Sequence, residues 1–426
     1  MILITLGLVI LVLLGAPLFA VIGASVMLAF ARADVDLTVV IIEIYRLAEM
    51  PVLLAIPLFT FAGYLLAESQ AAQRLVRITN ALLGWLPGGL ALVVLIVCAL
   101  FTAFTGASGI TIVALGALLY PALKQAGYPE RFSLGLITTS GSIGLLFAPS
   151  LPLILYSVVA QQLNIGQPVA IGDLFIAGIL PGILIIVLIA VWGLYQRHGQ
   201  HLPAAPFSGR EAWAAVREAA WELPLPIIVL GGIYSGFFAV SEAAAVTALY
   251  VLIVEVFIHR EIPLVKLPSI MRESMVLVGA ILIVLAMSLA STNYLLDAEV
   301  PAKLFTYIRE HVHSVYGFLL LLTLFLLVLG MMLDIFSALV IMVPLMLPIA
   351  LGYGVHPVHF GIIFLATMEI GYLLPPVGMN LFIASYRFNR PVLEVFRAVL
   401  PFIAILLFAV MVITYWPWLS LGLLRH

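Results

Sequence analysis

The stretch FTAFTGASGIT (101–111) lies in the middle of 46 consecutive residues, 78–123, that carry no charged side chain. One membrane-crossing helix needs about 20 apolar residues, so this segment is too long to cross once. It divides at its own centre into an apolar run over about 88–103, a turn of small and hydroxyl residues (FTGASG, 104–109), and a second apolar run over about 110–122 that ends at Tyr120-Pro121. Irregular backbone inside a bilayer survives only where protein or a water-filled cavity satisfies its N–H and C=O groups. The stretch therefore reads as a re-entrant helical hairpin, about 88–122, with its tip inside the protein. Residues 314–350 have the same form, with LGMMLD (329–334) as the tip and Pro344 and Pro348 near the exit.

A second irregularity follows each hairpin. Residues 132–172 hold no charge over 41 positions, and GSIGLLFAPSLPLILY (141–156) would form one span but for Pro149 and Pro152. Proline lacks the N–H and clashes with the preceding turn, so a break is expected near Ala148-Pro149-Ser150 in a helix of about 132–162. The counterpart is GYLLPPVGMNLFIASY (371–386), broken at Pro375-Pro376 within about 359–388.

These features recur in register. Tyr64-Leu65-Leu66 matches Tyr294-Leu295-Leu296 at a spacing of 230, while Pro121 and Pro348, Gly127 and Gly354, Gly144 and Gly371, and Pro149 and Pro376 are each 227 apart. An internal repeat of this kind divides the chain into a first repeat (1–196), an amphipathic linker (197–222) and a second repeat (223–426). If 223–258 crosses twice, the halves are inverted. Further charge-free spans are expected at 1–31 (bent at Gly15-Ala16-Pro17), 51–67, 174–196, 223–241, 274–296 and 398–424, for roughly nine crossings and up to eleven. Surface helices are expected over 35–50 and 70–83, and in the linker, where Trp213, Val216, Ala220 and Trp221 share one face.

Composition agrees. Hydrophobic residues make up 65% of the 426 and charged residues 9%, against roughly 25% charged in soluble domains. The chain is an all-α polytopic membrane protein with the lipid bilayer as its surroundings. A net charge of −2 offers no surface for nucleic acid, and Cys98, the one cysteine, excludes an intramolecular disulfide.

Repeated broken helices are the sequence pattern of a secondary transporter. The carbonyl end of a half-helix suits a cation such as Na⁺, and the N–H end of the next suits a carboxylate. Two tips facing two breaks predict two ion sites, the first from Gly106, Ala107, Ser108 and Gly109 with Gly144, Pro149 and Ser150. The second comes from Gly330, Met332 and Asp334 with Gly371, Pro375 and Gly378. Ser108, Ser150, Pro376 and Asn380 are the candidate substrate contacts. Glu369, acidic within an apolar run, is a candidate proton or coupling residue. Gly106-Ala-Ser-Gly109 also spells the GxSG of intramembrane serine proteases, but all eight histidines fall in loops, linkers or span ends, so no base is at hand.

The strings AIPLFTFAGYLLAES (55–69), FTAFTGASGIT (101–111), PALKQAGYPERFSLGLITTSGSIGLLFAPSLPLILYS (121–157), GGIYSGFFAVSEAAAVTALY (231–250), GMMLDIFSALVIMVPLMLP (330–348) and EIGYLLPPVGMNLFIAS (369–385) resemble, in order and end to end, the large permease subunit of TRAP (tripartite ATP-independent periplasmic) transporters, the DctM type. The resemblance implies Na⁺-driven uptake by an elevator movement in a bacterial inner membrane. It also implies a small organic acid delivered by a periplasmic binding protein, and a small four-helix membrane subunit expected as a separate chain. A stand-alone Na⁺- or H⁺-coupled carboxylate transporter is the alternative. Where the family usually has PPS and TPP, this chain has Ala148-Pro149-Ser150 and Leu374-Pro375-Pro376; the second departure removes a hydroxyl from the second ion site.

Overall fold

The computed structural model describes residue 11 and residues 16–86, 88–196 and 207–424, and every element in it is helical. Most of the expected first span's N-terminal half, Gly15 included, and the linker's start (197–206) lie outside the described residues. Six of the described helices are long and apolar enough to cross a membrane, or eight if each of two bent pairs counts as one span.

The first half runs Leu18–Arg32 (α1), Thr38–Ala48 (α2), Ala55–Glu68 (α3), Ala71–Leu83 (α4), Gly89–Thr105 (α5), Ser108–Gln125 (α6), Glu130–Ile143 (α7), Leu151–Gln162 (α8), Ile171–Ala177 (α9) and Ile179–Gln196 (α10). After Gly209–Glu218 (α11), the second half runs Pro224–Tyr234 (α12), Val240–Leu252 (α13), Leu267–Asp297 (α14), Val300–His311 (α15), Val315–Gly330 (α16), Ile335–Gly352 (α17), Pro357–Gly371 (α18), Met379–Phe388 (α19) and Val392–Tyr415 (α20).

Both hairpins form. The hydroxyls of Thr102 and Thr111 lie 2.6 Å apart, whereas a continuous helix would hold residues nine apart at about 13 Å. In the second, the rings of Phe318 and Tyr353 stack at 4.4 Å; a straight helix would separate them by about 52 Å. The turns are tighter than expected: only Gly106-Ala107 interrupts α5 and α6, and α6 continues through Pro121 to Gln125. In the same way α17 continues through Pro344 and Pro348. Each of these prolines withholds a single N–H from the ladder, a loss that surrounding helices tolerate. The two breaks fall where the prolines place them. The first helix stops at Leu146 and resumes at Leu151 with a 41° bend, and the second stops at Gly371 and resumes at Met379.

Packing follows the repeat. Each hairpin rests on its own half's broken helix, α5 and α6 on α7 and α16 on α18, and then reaches across: α6 packs on α19, and α17 packs on α8.

Two expectations are corrected. The span expected at 223–241 is shortened, while Val240–Ile258 is long and apolar enough to cross. Helix α12 reaches only about 16 Å at 1.5 Å per residue before the chain turns at Gly236, whose φ is +72°. Helix α11, read as a surface helix, meets the protein through Ala212 and Ala215, followed by Ala219, near Ile78 on α4, and leaves Trp213 on its other face 72% exposed. His359 is not at a solvated end but buried, bonded to Ser420 Oγ (2.6 Å) and the Thr414 carbonyl.

The linker is pinned by ions. Arg74 on α4, 5% exposed, meets Glu222, Glu255 (3.2 Å) and Glu261. Burial pushes the Glu261 carboxyl up, but its bonds from Arg74 and from the Gln70 N–H outweigh this and hold it below the ordinary glutamate range. Removing one partner of a buried ion pair costs about 3–5 kcal/mol because the other charges stay behind uncompensated. Arg74→Leu should therefore lower the thermal midpoint of the detergent-purified protein markedly, whereas Arg77→Leu, which cuts only exposed bridges to Glu211 and Glu218, should leave it nearly unchanged.

Candidate functional site

Glycines bring the tips and breaks together. A Cβ on Gly144 would lie 2.3 Å from the Ala99 carbonyl and 2.8 Å from the Ala103 nitrogen, so α7 seats directly on α5. A Cβ on Gly371 would lie 2.5 Å from Gly330 Cα. Ala103 and Gly330 are themselves 227 apart, so the same contact is made twice, once in each half. Gly106, at φ +67°, turns the first tip, and Leu151 Cδ1 fills the space a Cβ would need. Ser150 and Thr105, each one residue from that contact, are fully buried, and their hydroxyls have no partner. The Thr139 hydroxyl on α7 is likewise buried and unpartnered.

The second tip is better satisfied. Asp334 caps α17: Oδ1 accepts from the Phe336 and Ser337 N–H groups at 3.0 Å each, and Oδ2 from Ser337 Oγ at 2.6 Å. The Tyr372 hydroxyl accepts from the Ile335 N–H (2.8 Å), and the Val377 N–H donates to the Met331 carbonyl (3.3 Å). Gly378, at φ +43°, turns the chain into α19.

The halves are joined at Ser108, whose Oγ donates to Asn380 Oδ1 at 2.7 Å. Asn380 is fully buried, and its Nδ2 has no partner. The serine of the GxSG string is thus bonded to an amide rather than an imidazole.

A cavity of about 820 Å³ opens between these tips and the α3–α14 pair, with Gly106, Ala107, Ser108 and Gly109, Asp334 and Tyr372 on its wall. Of the candidate substrate contacts, Ser108 lines it, Ser150 and Asn380 lie buried behind the wall, and Pro376 faces outward. Of the second ion set, Gly330 and Gly371 touch, while Met332 is 60% exposed and Pro375 is exposed. Pro149 lies in the first break, beside Ser150. Glu369, two residues before Gly371, is 1% exposed with neither carboxyl oxygen bonded. Sequence reasoning missed Thr105, Thr139, Tyr372 and Arg387. The signal for the first three was a hydroxyl within an apolar run; Arg387 sits where a charge reads as the end of a span. Among the described residues, no group of three or more His, Cys, Asp or Glu could hold a metal ion.

The fold is that of an all-helical, multi-span membrane protein with hairpin tips at a cavity, and its family makes it a transporter permease rather than an enzyme. The chain belongs to the DctM family, the DctM component of the tripartite ATP-independent periplasmic transporters, which it matches over residues 5–419. It is 34% identical, over 98% of its length and 97% of the relative's, to the C4-dicarboxylate TRAP transporter large permease protein of Rhodobacter capsulatus. It is 31% identical, over 98% and 97%, to the ectoine/5-hydroxyectoine large permease protein of Ruegeria pomeroyi. The YdaH transporter structure from Alcanivorax borkumensis shares its fold, with a TM-score of 0.64 at 14% identity, covering 91% of this chain and 88% of that one.

The glycine contacts yield a test. Gly371→Ala drives a methyl group into the Gly330 backbone, which no side-chain rotation relieves, so a thermal midpoint drop of several degrees is expected. Gly279→Ala, with nothing within 4 Å, should be neutral or slightly stabilising, since alanine is favoured over glycine in a helix by about 1 kcal/mol.

Proposed function

We propose that this permease takes up a small carboxylate-bearing solute together with Na⁺, the solute arriving from a periplasmic binding protein and a separate four-helix membrane subunit completing the complex. On this reading the two repeats are inverted, the hairpins re-enter the membrane, and the hairpin-bearing body moves as an elevator within a bacterial inner membrane. The mutual packing of α6 on α19 and of α17 on α8 supports a two-fold relation between the halves, as it is reciprocal in the way an isologous contact is.

The observation that carries the proposal is the set of unpartnered polar atoms around the first tip and the Ser108–Asn380 junction. Buried polar groups are nearly always bonded, and each orphan left in a protein interior costs about 1–3 kcal/mol. Hydroxyl oxygens of Thr105 and Ser150, with backbone carbonyls near Gly106–Gly109 and Gly144, are hard oxygen donors of the kind a desolvated Na⁺ takes. The Asn380 Nδ2 group is a donor and suits a carboxylate or carbonyl oxygen. The second Na⁺ would use Gly330, Met332, Gly371, Pro375 and Gly378 through backbone carbonyls. Asp334 would contribute chiefly by charge, as its oxygens are engaged in the cap. The dicarboxylate, ectoine and isethionate named for relatives are all small acids, two of them carboxylates, which supports this substrate class. Glu369 favours a second reading in which a proton replaces one Na⁺, since a buried carboxyl without a bonding partner is costly to keep charged.

Uptake of labelled carboxylates into proteoliposomes under an imposed Na⁺ gradient decides this. Uptake should need Na⁺, the small subunit and the binding protein, and Thr105→Val with Ser150→Ala should raise the Na⁺ concentration for half-maximal uptake about tenfold. Uptake by this chain alone would refute the tripartite reading. Uptake driven by a proton gradient and lost in Glu369→Gln would establish the second one.

A further inference from the structure

The cavity's charges are unevenly spent. Three carboxylates line it: Glu68, Glu273 and Asp334. Glu68 is paired with Lys266 outside the cavity, and that carboxylate in turn pushes the Lys266 ammonium above its usual range. Asp334 is occupied by the α17 cap. Glu273 accepts from Ser269 Oγ at 3.1 Å. Against these stands one lining cation, Arg387, on the last turn of α19. Its Nε donates to the Val113 carbonyl at 3.0 Å, and its two terminal nitrogens meet no acceptor among the described residues.

That geometry differs from an arginine merely placed at a helix end, where the charge favours the dipole and the side chain is free to turn into solvent. Here one of the five N–H donors is tied to α6, which limits rotation of the planar group and leaves its fork uncommitted. A guanidinium fork matches a carboxylate in two parallel hydrogen bonds. Arg387 is exposed, and the nearby wall is apolar, formed by Val113, Ala114, Met379 and Ile383, which suits a short carbon skeleton. Arg387 also joins two elements that belong together functionally, because α6 begins at Ser108 and α19 begins just before Asn380.

We propose that Arg387 is the anion-reading residue of the cavity, taking a carboxylate of the solute in its free fork. The inference rests on the cavity being the solute site. It predicts that the net charge of the solute sets recognition at this wall, so that Arg387 contributes more to a dianion than to a zwitterion, whose own cation offsets its carboxylate.

The test is equilibrium binding of labelled succinate and of labelled ectoine to the purified membrane complex in saturating Na⁺, beside uptake by the same complex with its binding protein. Arg387→Gln should weaken succinate binding about 10- to 100-fold, the range expected for losing a charged hydrogen bond, and weaken ectoine binding less. Arg387→Lys, which keeps the charge but lacks the fork, should weaken succinate by a smaller factor. Equal losses for both ligands in Arg387→Gln, or unchanged succinate affinity in either variant, would overturn the proposal and leave Arg387 a tether between α6 and α19. A wild-type complex that binds neither ligand would also overturn it. Sodium-driven, partner-dependent uptake by that wild type would then leave the wider transport reading standing, and no uptake would remove both.

Discussion

Helices that stop inside an apolar body expose backbone groups that neither lipid nor side-chain packing can satisfy. The contact of Gly330 with Gly371 answers this constraint for the second tip. Because neither residue has a side chain, α16 and α18 approach until their backbones touch. That closeness lets the Tyr372 hydroxyl reach the first free N–H of α17 and lets the Val377 N–H reach the Met331 carbonyl. Gly144, directly after α7, does the same against α5 for the first half, but there the side-chain hydroxyls of Thr105 and Ser150 are left without partners. The two tips are thus alike in scaffold and different in how fully they are bonded, and the less satisfied one has more to gain from a ligand.

The repeat sets the shape of the cavity as well as the pattern of breaks. Each hairpin is held by its own half and leans on the other half's second half-helix, so neither tip can shift far without disturbing both halves. The Ser108–Asn380 bond is the point where this exchange meets the cavity wall. Away from the site, the buried Arg74 cluster ties α4 to the linker end and to the segment after α13. A charge network is costly to bury, and here it fixes the junction between the two repeats.

Much of the plan was legible in the sequence because it rests on local physics. An uncharged run of 46 residues with a small-residue turn at its centre has to fold back, and the Thr102–Thr111 contact shows that it does. The prolines at 149 and 376 mark the two breaks because a missing N–H acts wherever it sits. The same reasoning misjudged Pro121, which lies within a continuous helix, because one lost hydrogen bond is decided by the neighbours and not by the residue. It also read 223–241 as one span, since hydropathy does not register that Gly236 turns the chain after only about 16 Å of helix.

Sequence alone determined the membrane class, the two fold-back points, the two proline breaks and Gly106, on which the first tip turns, all of which follow from composition and from spacing along the chain. Only the tertiary structure decided which hydroxyls are left unbonded, that Asp334 spends its oxygens on a cap, that Ser108 meets Asn380 across 272 positions, and that Arg387 stands uncommitted at the cavity wall. Those facts depend on which atoms lie within about 3 Å of one another. In a bundle of near-uniform apolar helices, that proximity is set by the rotation and tilt of each helix against its neighbours, which hydropathy along the chain does not encode.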